Sequence, residues 1–280
     1  MNYRHLYHAG NFSDVLKHIV MIALLRALTK KETPFCFLDT HAGIGLYPLQ
    51  SIETQKSREY ESGIANLLAR NNNNAPELIK EYIAIINDFN AGAVQKYLGS
   101  PLIAEKYLRD QDQLILCELH STDIITLKEN MPKRKNIAIH HTDAYLGMKS
   151  FLPPKLKRGI VMIDPPFELP NEFERIENAL KRALTHWQSG HYMIWYPIKD
   201  QKKTNQFYRS LRDLQKPTLC IEFELVNPPA GDKLSCCGIA LVNPPWQVEE
   251  MLKLSILPYL ATALIARWRI VTERGHYNNS

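Results

Sequence analysis

The chain has little cysteine and no long apolar run, and each absence argues against a class of protein. None of its five cysteines forms a Cys-x-x-Cys pair, which disfavours a zinc site or a disulfide framework and favours buried free thiols. The apolar runs at residues 19–25 and 254–266 are too short to span a bilayer. Because no export signal is visible either, we expect a cytoplasmic protein with no bound metal.

The charge of the chain is only mildly unbalanced. Its 280 residues include 34 Lys and Arg against 29 Asp and Glu, a formal net charge of +5. An excess of this size is compatible with an RNA or DNA partner, although many proteins without such a partner share it. The hydrophobic content of 45% and the charged content of 22% are typical of a folded globular protein.

Seven short apolar runs are interpreted as β-strands: residues 35–40, 113–119, 136–141, 159–164, 191–197, 219–226 and 237–243. Most are continuous rather than alternating, as in strands that are covered on both faces, and helical patterns lie between several of them. This alternation predicts an α/β fold with an open, mainly parallel sheet.

The last two strand candidates lack an intervening helix. Their connection contains Pro228, Pro229 and Gly231, which predicts an antiparallel hairpin. Parallel strands that end in such a hairpin indicate the class I (Rossmann-like) fold of S-adenosylmethionine-dependent methyltransferases, here with a seven-stranded sheet.

The first two strand candidates are separated by about seventy residues, several times the usual length of a crossover. Within this interval, Leu78, Tyr82, Ile85 and Phe89 stand at helical spacing. We interpret residues 49–95 as a small helical insertion within a single domain that covers residues 1–280.

In open α/β sheets, ligands bind beyond the carboxyl ends of the strands. The first strand candidate is followed by Gly43 and Gly45, which allow a tight turn and a close approach to a ligand. The second ends at Glu118, an acceptor suited to ribose hydroxyls, and the third leads to Asp143, which can accept from an adenine amino group. With Asp164 at the end of the fourth, these positions predict one site at one edge of the sheet.

The fourth strand candidate ends in Asp164-Pro165-Pro166-Phe167, which matches the Asp/Asn-Pro-Pro-aromatic pattern of amino-group methyltransferases. The Asp164 carboxylate and the Pro165 carbonyl can accept the two N–H bonds of an exocyclic amine, while the prolines restrain the backbone. Phe167 can stack on a flipped-out base. The motif therefore predicts methyl transfer to an amino group of a nucleobase.

Two other stretches resemble this motif: Asn227-Pro228-Pro229-Ala230 and Asn243-Pro244-Pro245-Trp246. The first has alanine where the aromatic residue should stand. The second follows a strand that we predict to be antiparallel, so that it would lie at the opposite edge of the sheet. We interpret both as loops that end edge strands.

Residues 3–18 are rich in histidine and tyrosine and precede a strongly apolar helix. One interpretation is a solvated tail that leads into a core helix, and another is a functional segment. The histidine spacing does not resemble a zinc site.

Together these residues resemble one family closely, the RlmJ-type methyltransferases, which modify the N6 amine of an adenine in bacterial 23S rRNA. The resemblance covers essentially the whole chain. It rests on YRHxxHAGNxxDVLKH at residues 3–18, DTHAGxGLY at residues 39–47, Gly-Ser-Pro at residues 99–101, and Glu118, Asp143 and Asp-Pro-Pro-Phe.

The resemblance implies S-adenosyl-L-methionine as the cofactor, in a site lined by His18, His41, Ser100, Glu118, Asp143, Ala144 and Asp164. It implies that Asp164 is the catalytic acceptor, either as a proton acceptor or by positioning the amine. Substrate contacts are expected from Pro165, Phe167 and Tyr3, the last in a segment, residues 1–13, that folds over the active site. The insertion is expected to help bind RNA, and the protein to act as a monomer on 23S rRNA without ribosomal proteins.

Two positions depart from the family pattern. Phe167 stands where tyrosine is usual and lacks its hydroxyl, while Ala144 stands where glycine is usual and adds a methyl group. The missing hydroxyl of Phe167 is expected to affect substrate preference, and the added methyl group of Ala144 is expected to affect the fit of the cofactor.

Three alternatives stay open at this point. A DNA adenine methyltransferase would share the Asp-Pro-Pro-Phe chemistry, and a non-catalytic protein that binds RNA or S-adenosylmethionine could share the fold. A Rossmann dehydrogenase would need a Gly-x-Gly-x-x-Gly turn, which the sequence lacks. The basic stretches at residues 132–135, 155–158 and 202–203 are either phosphate contacts or solvated loops.

Overall fold

A computed structural model of the chain describes residues 4–90, 92–229, 231 and 233–271. The strands of this part of the chain are β1 (Cys36–Asp39), β2 (Leu46–Pro48), β3 (Lys96–Leu98), β4 (Gln113–Glu118), β5 (Ile137–His141), β6 (Gly159–Ile163), β7 (His191–Pro197), β8 (Thr218–Leu225), β9 (Cys236–Val242) and β10 (Ala266–Val271).

The α-helices are α1 (Phe12–Thr29), α2 (Ile52–Ser57), α3 (Ile64–Leu68), α4 (Glu77–Asp88), α5 (Ser100–Glu105), α6 (Asp123–Asn130), α7 (Ala144–Phe151), α8 (Glu172–His186), α9 (Gln201–Asp213), α10 (Val248–Met251) and α11 (Leu257–Leu264). A π-helical turn at Leu252–Ile256 joins the last two, and 3₁₀ turns lie at His5–Tyr7 and Glu59–Ser62. Within the described residues, no helix has both the length and the apolar character that a bilayer span requires.

The main sheet has the strand order β10-β8-β9-β7-β6-β1-β4-β5. Strands β5, β4, β1, β6 and β7 are parallel, whereas β9 pairs antiparallel with both β7 and β8. The predicted α/β fold, with a mainly parallel sheet and a terminal antiparallel hairpin, is confirmed.

The main sheet contains eight strands rather than the predicted seven, because β10 pairs antiparallel with β8. The missed strand alternates Arg267 and Arg269 with Trp268 and Ile270. It lies at the edge of the sheet, where Ile270 is its one buried residue, and so lacks the continuous apolar run that is typical of the inner strands.

Helix α1 covers one face of the sheet and is buried along almost its whole length. The second apolar layer, on the other face, includes Leu180, Tyr192 and Phe207. The side chain of Asn11 caps α1 by accepting from the backbone N–H of Asp14. This cap fixes the amino end of α1 at the edge of the sheet where the parallel strands end.

Residues 49–95 lie between β2 and β3, which pair as a separate antiparallel ribbon. They contain α2, α3 and α4, and α4 carries the predicted apolar positions Leu78, Tyr82 and Ile85 on its buried face. Helix α4 packs against α1.

The cysteines are free thiols, as expected. Four are buried, Cys36, Cys117, Cys220 and Cys237, and Cys236 is half-buried. Burial raises the pKa of the Cys36 thiol to about 12, so that it stays protonated at neutral pH.

Candidate active site

A cavity of about 810 Å³ lies where the parallel strands end, an edge that we call the carboxyl edge. This volume is within the range of small-molecule sites, roughly 300–1,000 Å³. The lining includes every predicted site residue that the structure describes: His18, His41, Ser100, Glu118, Asp143, Ala144, Asp164, Pro165 and Phe167. Tyr3 lies outside the described residues.

Backbone amides from the turn after β1 and from the residues after β4 hold the Glu118 carboxylate. The N–H of Gly43 donates to Oε2 over 2.8 Å, and the N–H of His120 donates to Oε1 over 2.6 Å. Burial raises the pKa of Glu118 above its ordinary value in spite of these bonds. Gly43 has a φ of +61°, and a Cβ at this position would lie 2.2 Å from the Tyr47 hydroxyl, so the turn requires glycine.

The Ser100 hydroxyl donates to Oδ2 of Asp39 over 2.6 Å, and the backbone N–H of His41 donates to Oδ1 over 3.1 Å. Asp39 is fully buried at the end of β1, and burial raises its pKa to about 6. Ser100 is therefore oriented by a carboxylate beneath the floor of the cavity.

Both predicted histidines are uncharged at neutral pH. Burial lowers the pKa of His18 to about 3, with a further decrease from the positive charge of Lys17, and burial lowers the pKa of His41 to about 4. The Nδ1 atom of His18 lies 2.8 Å from the Tyr97 hydroxyl, and that of His41 lies 2.8 Å from Oγ1 of Thr40. Each ring has one nitrogen fixed by the fold.

Asp143 is the N-cap of α7, where its Oδ1 accepts from the backbone N–H of Tyr145 and of Leu146. Its Oδ2 lies 3.1 Å from a guanidinium nitrogen of Arg175. The same guanidinium stacks over the Tyr145 ring, 4.5 Å from the ring centroid, and contacts Glu172 at 3.4 Å. Arg175 therefore ties α8 to the predicted cofactor acceptor.

The acid of the Asp-Pro-Pro-Phe motif is bound to an ammonium. Nζ of Lys17 lies 2.5 Å from Oδ2 of Asp164 and 2.7 Å from Oδ1 of Asp14. Asp14 also contacts Nε2 of His5 at 2.9 Å. Burial opposes ionisation of Lys17 and of Asp14, but the opposite charges in the cluster outweigh the effect of burial. They raise the pKa of Lys17 and lower the pKa of Asp14.

Phe167 has a left-handed backbone, with a φ of +52°, which is strained for a residue other than glycine. Its ring makes edge contacts with Phe173, at a centroid distance of 5.0 Å, and with Trp195, at 5.9 Å. The Trp195 indole N–H donates to Oγ of Ser13 over 2.6 Å. The rings of Phe167 and Trp195 are thus held at the wall of the cavity that also contains Asp164.

Comparison with known proteins identifies the family. The sequence model of a family described as ribosomal RNA large subunit methyltransferase D, RlmJ, matches residues 32–277. The chain belongs to this family. The RlmJ resemblance that the motifs predicted is confirmed, and with it the class of enzyme, an rRNA methyltransferase.

Two curated relatives carry the name ribosomal RNA large subunit methyltransferase J. The protein from Haemophilus influenzae is 38% identical over 95% of this chain and 94% of its own length. The one from Escherichia coli is 34% identical over 95% of this chain and 94% of its own length. The crystal structure of protein LPL1258 from Legionella pneumophila is similar with a TM-score of 0.87 and 37% identity, covering 95% of this chain and 98% of that one.

Residues of the RlmJ-type opening motif that the structure describes line the cavity. Nδ1 of His8 lies 3.0 Å from the Glu59 carboxylate, and the Asn11 amide donates to the same carboxylate over 3.1 Å. His5, His8 and Asn11 line the cavity together with Glu59. The segment therefore joins the insertion to the site, which does not fit the alternative of a solvated tail.

Several residues that the structure places in the site are not predicted from the sequence, among them Asp14, Lys17, Arg175 and Trp195. A signal existed for two of them, because Asp14, Lys17 and His18 stand three and four positions apart on one face of α1. Nothing in the sequence pairs Arg175 with Asp143.

The competing Asn243-Pro244-Pro245-Trp246 stretch lies at the opposite edge of the sheet. Strand β9 runs antiparallel to β7, and the Asn243 side-chain amide donates to the carbonyls of Gln188 and Gly190, just before β7 begins. This placement agrees with its interpretation as a structural loop, although β9 is an inner strand between β8 and β7 and not the edge strand that we predict from the sequence.

Proposed function

We propose that this protein transfers the methyl group of S-adenosyl-L-methionine to the exocyclic N6 amine of an adenine in 23S rRNA. The observation that carries the proposal is the arrangement at the end of β6. Asp164, restrained by Pro165 and fixed by Lys17, lies beside the rings of Phe167 and Trp195. Two curated relatives are named as large-subunit rRNA methyltransferases, which supports an rRNA substrate.

The residues of the carboxyl edge fit the proposed cofactor. Each oxygen of Glu118 accepts one backbone N–H, and because a carboxylate oxygen has two lone pairs, each can still accept a ribose hydroxyl. Oδ2 of Asp143 has the same spare capacity toward an adenine amino group. His18 and His41, being neutral, do not repel a cation. The bound cofactor supplies an electrophilic methyl group on a sulfonium centre.

The protein's part in the reaction is to position the amine. Lys17 holds Oδ2 of Asp164, so that the carboxylate presents a fixed acceptor to one amine N–H while the Pro165 carbonyl can accept the other. The amine becomes a much stronger acid once it carries the methyl group, so it can lose its proton after transfer. Positioning and electrostatic stabilisation are therefore sufficient roles for Asp164.

The remaining expectations belong to the same proposal. The substrate is protein-free 23S rRNA, the enzyme is a cytoplasmic monomer, and residues 49–95 and 1–13, with Tyr3, help bind RNA. The contacts of His8 and Asn11 with Glu59 support a joint role of the opening segment and the insertion at the mouth of the cavity.

The test is methyl transfer from labelled S-adenosylmethionine to 23S rRNA that lacks its native modifications, with duplex DNA as a parallel substrate. Asp164→Ala is the inactive control, and its urea unfolding curve is measured to show that it folds. We expect label in the rRNA only, and none with the variant.

Labelling of DNA alone would favour the DNA adenine methyltransferase. Saturable binding of the cofactor with no transfer to either nucleic acid would favour a non-catalytic binding protein. Either result would overturn the proposal.

A further inference from the structure

The structure separates the three basic stretches of the sequence by position. Residues 132–135 precede β5 and residues 155–158 precede β6, so both lie at the amino ends of the parallel strands, away from the cavity. Residues 202–203 lie at the start of α9, which follows the carboxyl end of β7. Only this last stretch is at the edge that carries the site.

The arginines of the two distant stretches also have structural partners. Arg134 contacts Glu105 at 2.9 Å and Asp110 at 3.3 Å. Arg158 donates to the carbonyls of Leu28 and Thr33 over 2.6 and 2.7 Å. These contacts account for two of the distant cations without a nucleic-acid partner.

Helix α9 differs from the two distant stretches in the arrangement of its charged residues. Its buried face is formed by Thr204, Phe207, Tyr208 and Leu211, and its first twelve residues contain no Asp or Glu. The cations Lys202, Lys203, Arg209 and Arg212 are exposed on the outside of the helix, and Lys199 is exposed just before it. We call these five residues the α9 strip.

None of the ion pairs within the described part of the chain includes a residue of the α9 strip. Two acids adjoin residues of the strip in sequence: Asp200 caps the helix by accepting from the backbone N–H groups of Lys202 and Lys203, and Asp213 is the last residue of α9. A row of exposed cations without carboxylate partners retains its capacity to bind phosphates.

The α9 strip begins at the half of the cavity where the target base is proposed to bind. Trp195, which packs against Phe167, is on β7, and Lys199 follows that strand and lines the cavity. Lys202 and Arg209 are seven residues apart and therefore share a helix face. From Lys202 to Arg212 the strip extends about 15 Å away from the mouth at 1.5 Å per residue.

We propose that the α9 strip binds the phosphate backbone of the RNA next to the adenosine that enters the cavity. This inference rests on the proposed function, because it takes the partner to be the rRNA substrate. The strip would position the RNA strand on the β7 side of the mouth, with Lys199 nearest to the target nucleotide.

The test compares two triple variants that lose equal charge. Lys202→Gln/Lys203→Gln/Arg209→Gln removes three of the five cations of the α9 strip, and Lys133→Gln/Lys135→Gln/Lys155→Gln removes three exposed lysines from the opposite edge. The dissociation constant for protein-free 23S rRNA is measured over a series of KCl concentrations. Affinity for S-adenosylmethionine is measured on both variants as a control for folding.

The slope of log affinity against log salt is negative, and loss of three phosphate contacts should make it less negative by about 2. Binding at low salt should weaken by roughly tenfold or more. We expect this for the α9 variant, less than a threefold change for the control variant, and unchanged cofactor affinity in both. Equal weakening by the two variants, or no weakening by the α9 variant, would overturn the assignment.

RNA binding and methyl transfer are measured in separate assays. The proposed function and the proposed RNA-binding role of the α9 strip can therefore be refuted independently. If the wild-type protein binds rRNA but transfers no methyl group, the proposed function is wrong and the binding comparison still decides the surface. If it methylates rRNA and the two triple variants bind alike, only the surface is wrong.

Discussion

Lys17 places its ammonium 2.5 Å from the Asp164 carboxylate, although 147 residues separate the two in the chain. Lys17 is on the first buried helix, whereas Asp164 follows an inner strand of the sheet. The ammonium also contacts Asp14 at 2.7 Å. One buried cation thus bridges the helix and the motif that is proposed to hold the target amine.

Replacing Lys17 with methionine should lower kcat by about a hundredfold or more, because a small displacement of a positioning group has effects of that size. The measurement is steady-state methyl transfer to 23S rRNA. The matched control is Lys30→Met, at the exposed carboxyl end of the same helix. A kcat within twofold of wild type, in a Lys17→Met protein that still binds the cofactor, would contradict a positioning role.

Phe167→Leu should lower kcat/KM for rRNA by roughly 10- to 100-fold, since stacking of a base on an aromatic ring contributes about 1–3 kcal/mol. Phe167→Tyr keeps the ring and adds the hydroxyl usual in the family, and we expect it to stay within about threefold of wild type. Both variants are assayed with the same rRNA. Equal activity of the leucine and tyrosine variants would show that the ring does not stack on the substrate.

Arg175→Gln should weaken binding of S-adenosylmethionine and of its demethylated product to the same extent, by about tenfold, or 1.4 kcal/mol. The reason is that Arg175 orients Oδ2 of Asp143, which is proposed to contact the adenine common to both molecules. Arg182→Gln, exposed on the same helix, is the matched control. Calorimetric titration gives both affinities.

A double-mutant cycle separates this positioning role from a general loss of stability. In an Asp143→Asn background, the effect of Arg175→Gln on cofactor affinity should largely disappear. Full additivity of the two substitutions would contradict the proposed coupling, as would a lower kcat at saturating cofactor with unchanged affinity.

The buried, neutral His18 should make the protein less stable in acid. Burial, and the charge of Lys17, lower its pKa from 6.5 to about 3, so between these pH values the unfolded chain binds a proton that the folded protein does not. The free energy of unfolding should therefore fall as pH decreases from 6.5, by up to about 1.4 kcal/mol per pH unit for this histidine.

His41 acts in the same direction between pH 6.5 and about 4. Asp39 acts in the opposite direction, because burial raises its pKa to about 6 and the folded state holds its proton between that value and 3.8. Urea unfolding between pH 4.5 and 6.0 measures the net slope. His18→Gln should reduce the slope, and His186→Gln, on an exposed position of α8, should leave it unchanged; identical slopes in all three proteins would refute this account.

The fold could be predicted largely from the sequence because its inner strands are covered on both faces. Continuous apolar runs such as residues 113–119 and 191–197 therefore located β4 and β7 almost to the residue. The ends of the runs at residues 113–119 and 159–164 located Glu118 and Asp164, since the parallel direction alone places strand ends at one edge. Strand β10 and the short ribbon of β2 and β3 lack such runs and were missed.

The partners of the site residues could not be predicted, because they depend on tertiary packing. Arg175 lies 32 residues from Asp143, on a helix whose apolar face gives its orientation only approximately. Trp195 lies inside an apolar strand run, where a core position and a cavity wall look alike in sequence. Family resemblance supplied His18, His41 and Ser100, but not the contacts that fix them.

The Asp-Pro-Pro-Phe motif at residues 164–167 is proposed to direct the methyl group to an adenine N6 amine. The most direct measurement is mass spectrometry of nucleosides from 23S rRNA methylated with a trideuterated methyl donor. We expect the label in N6-methyladenosine alone, at about one methyl group per rRNA molecule. Label in a ribose 2′-O-methyl group, or in a carbon-methylated base, would contradict it.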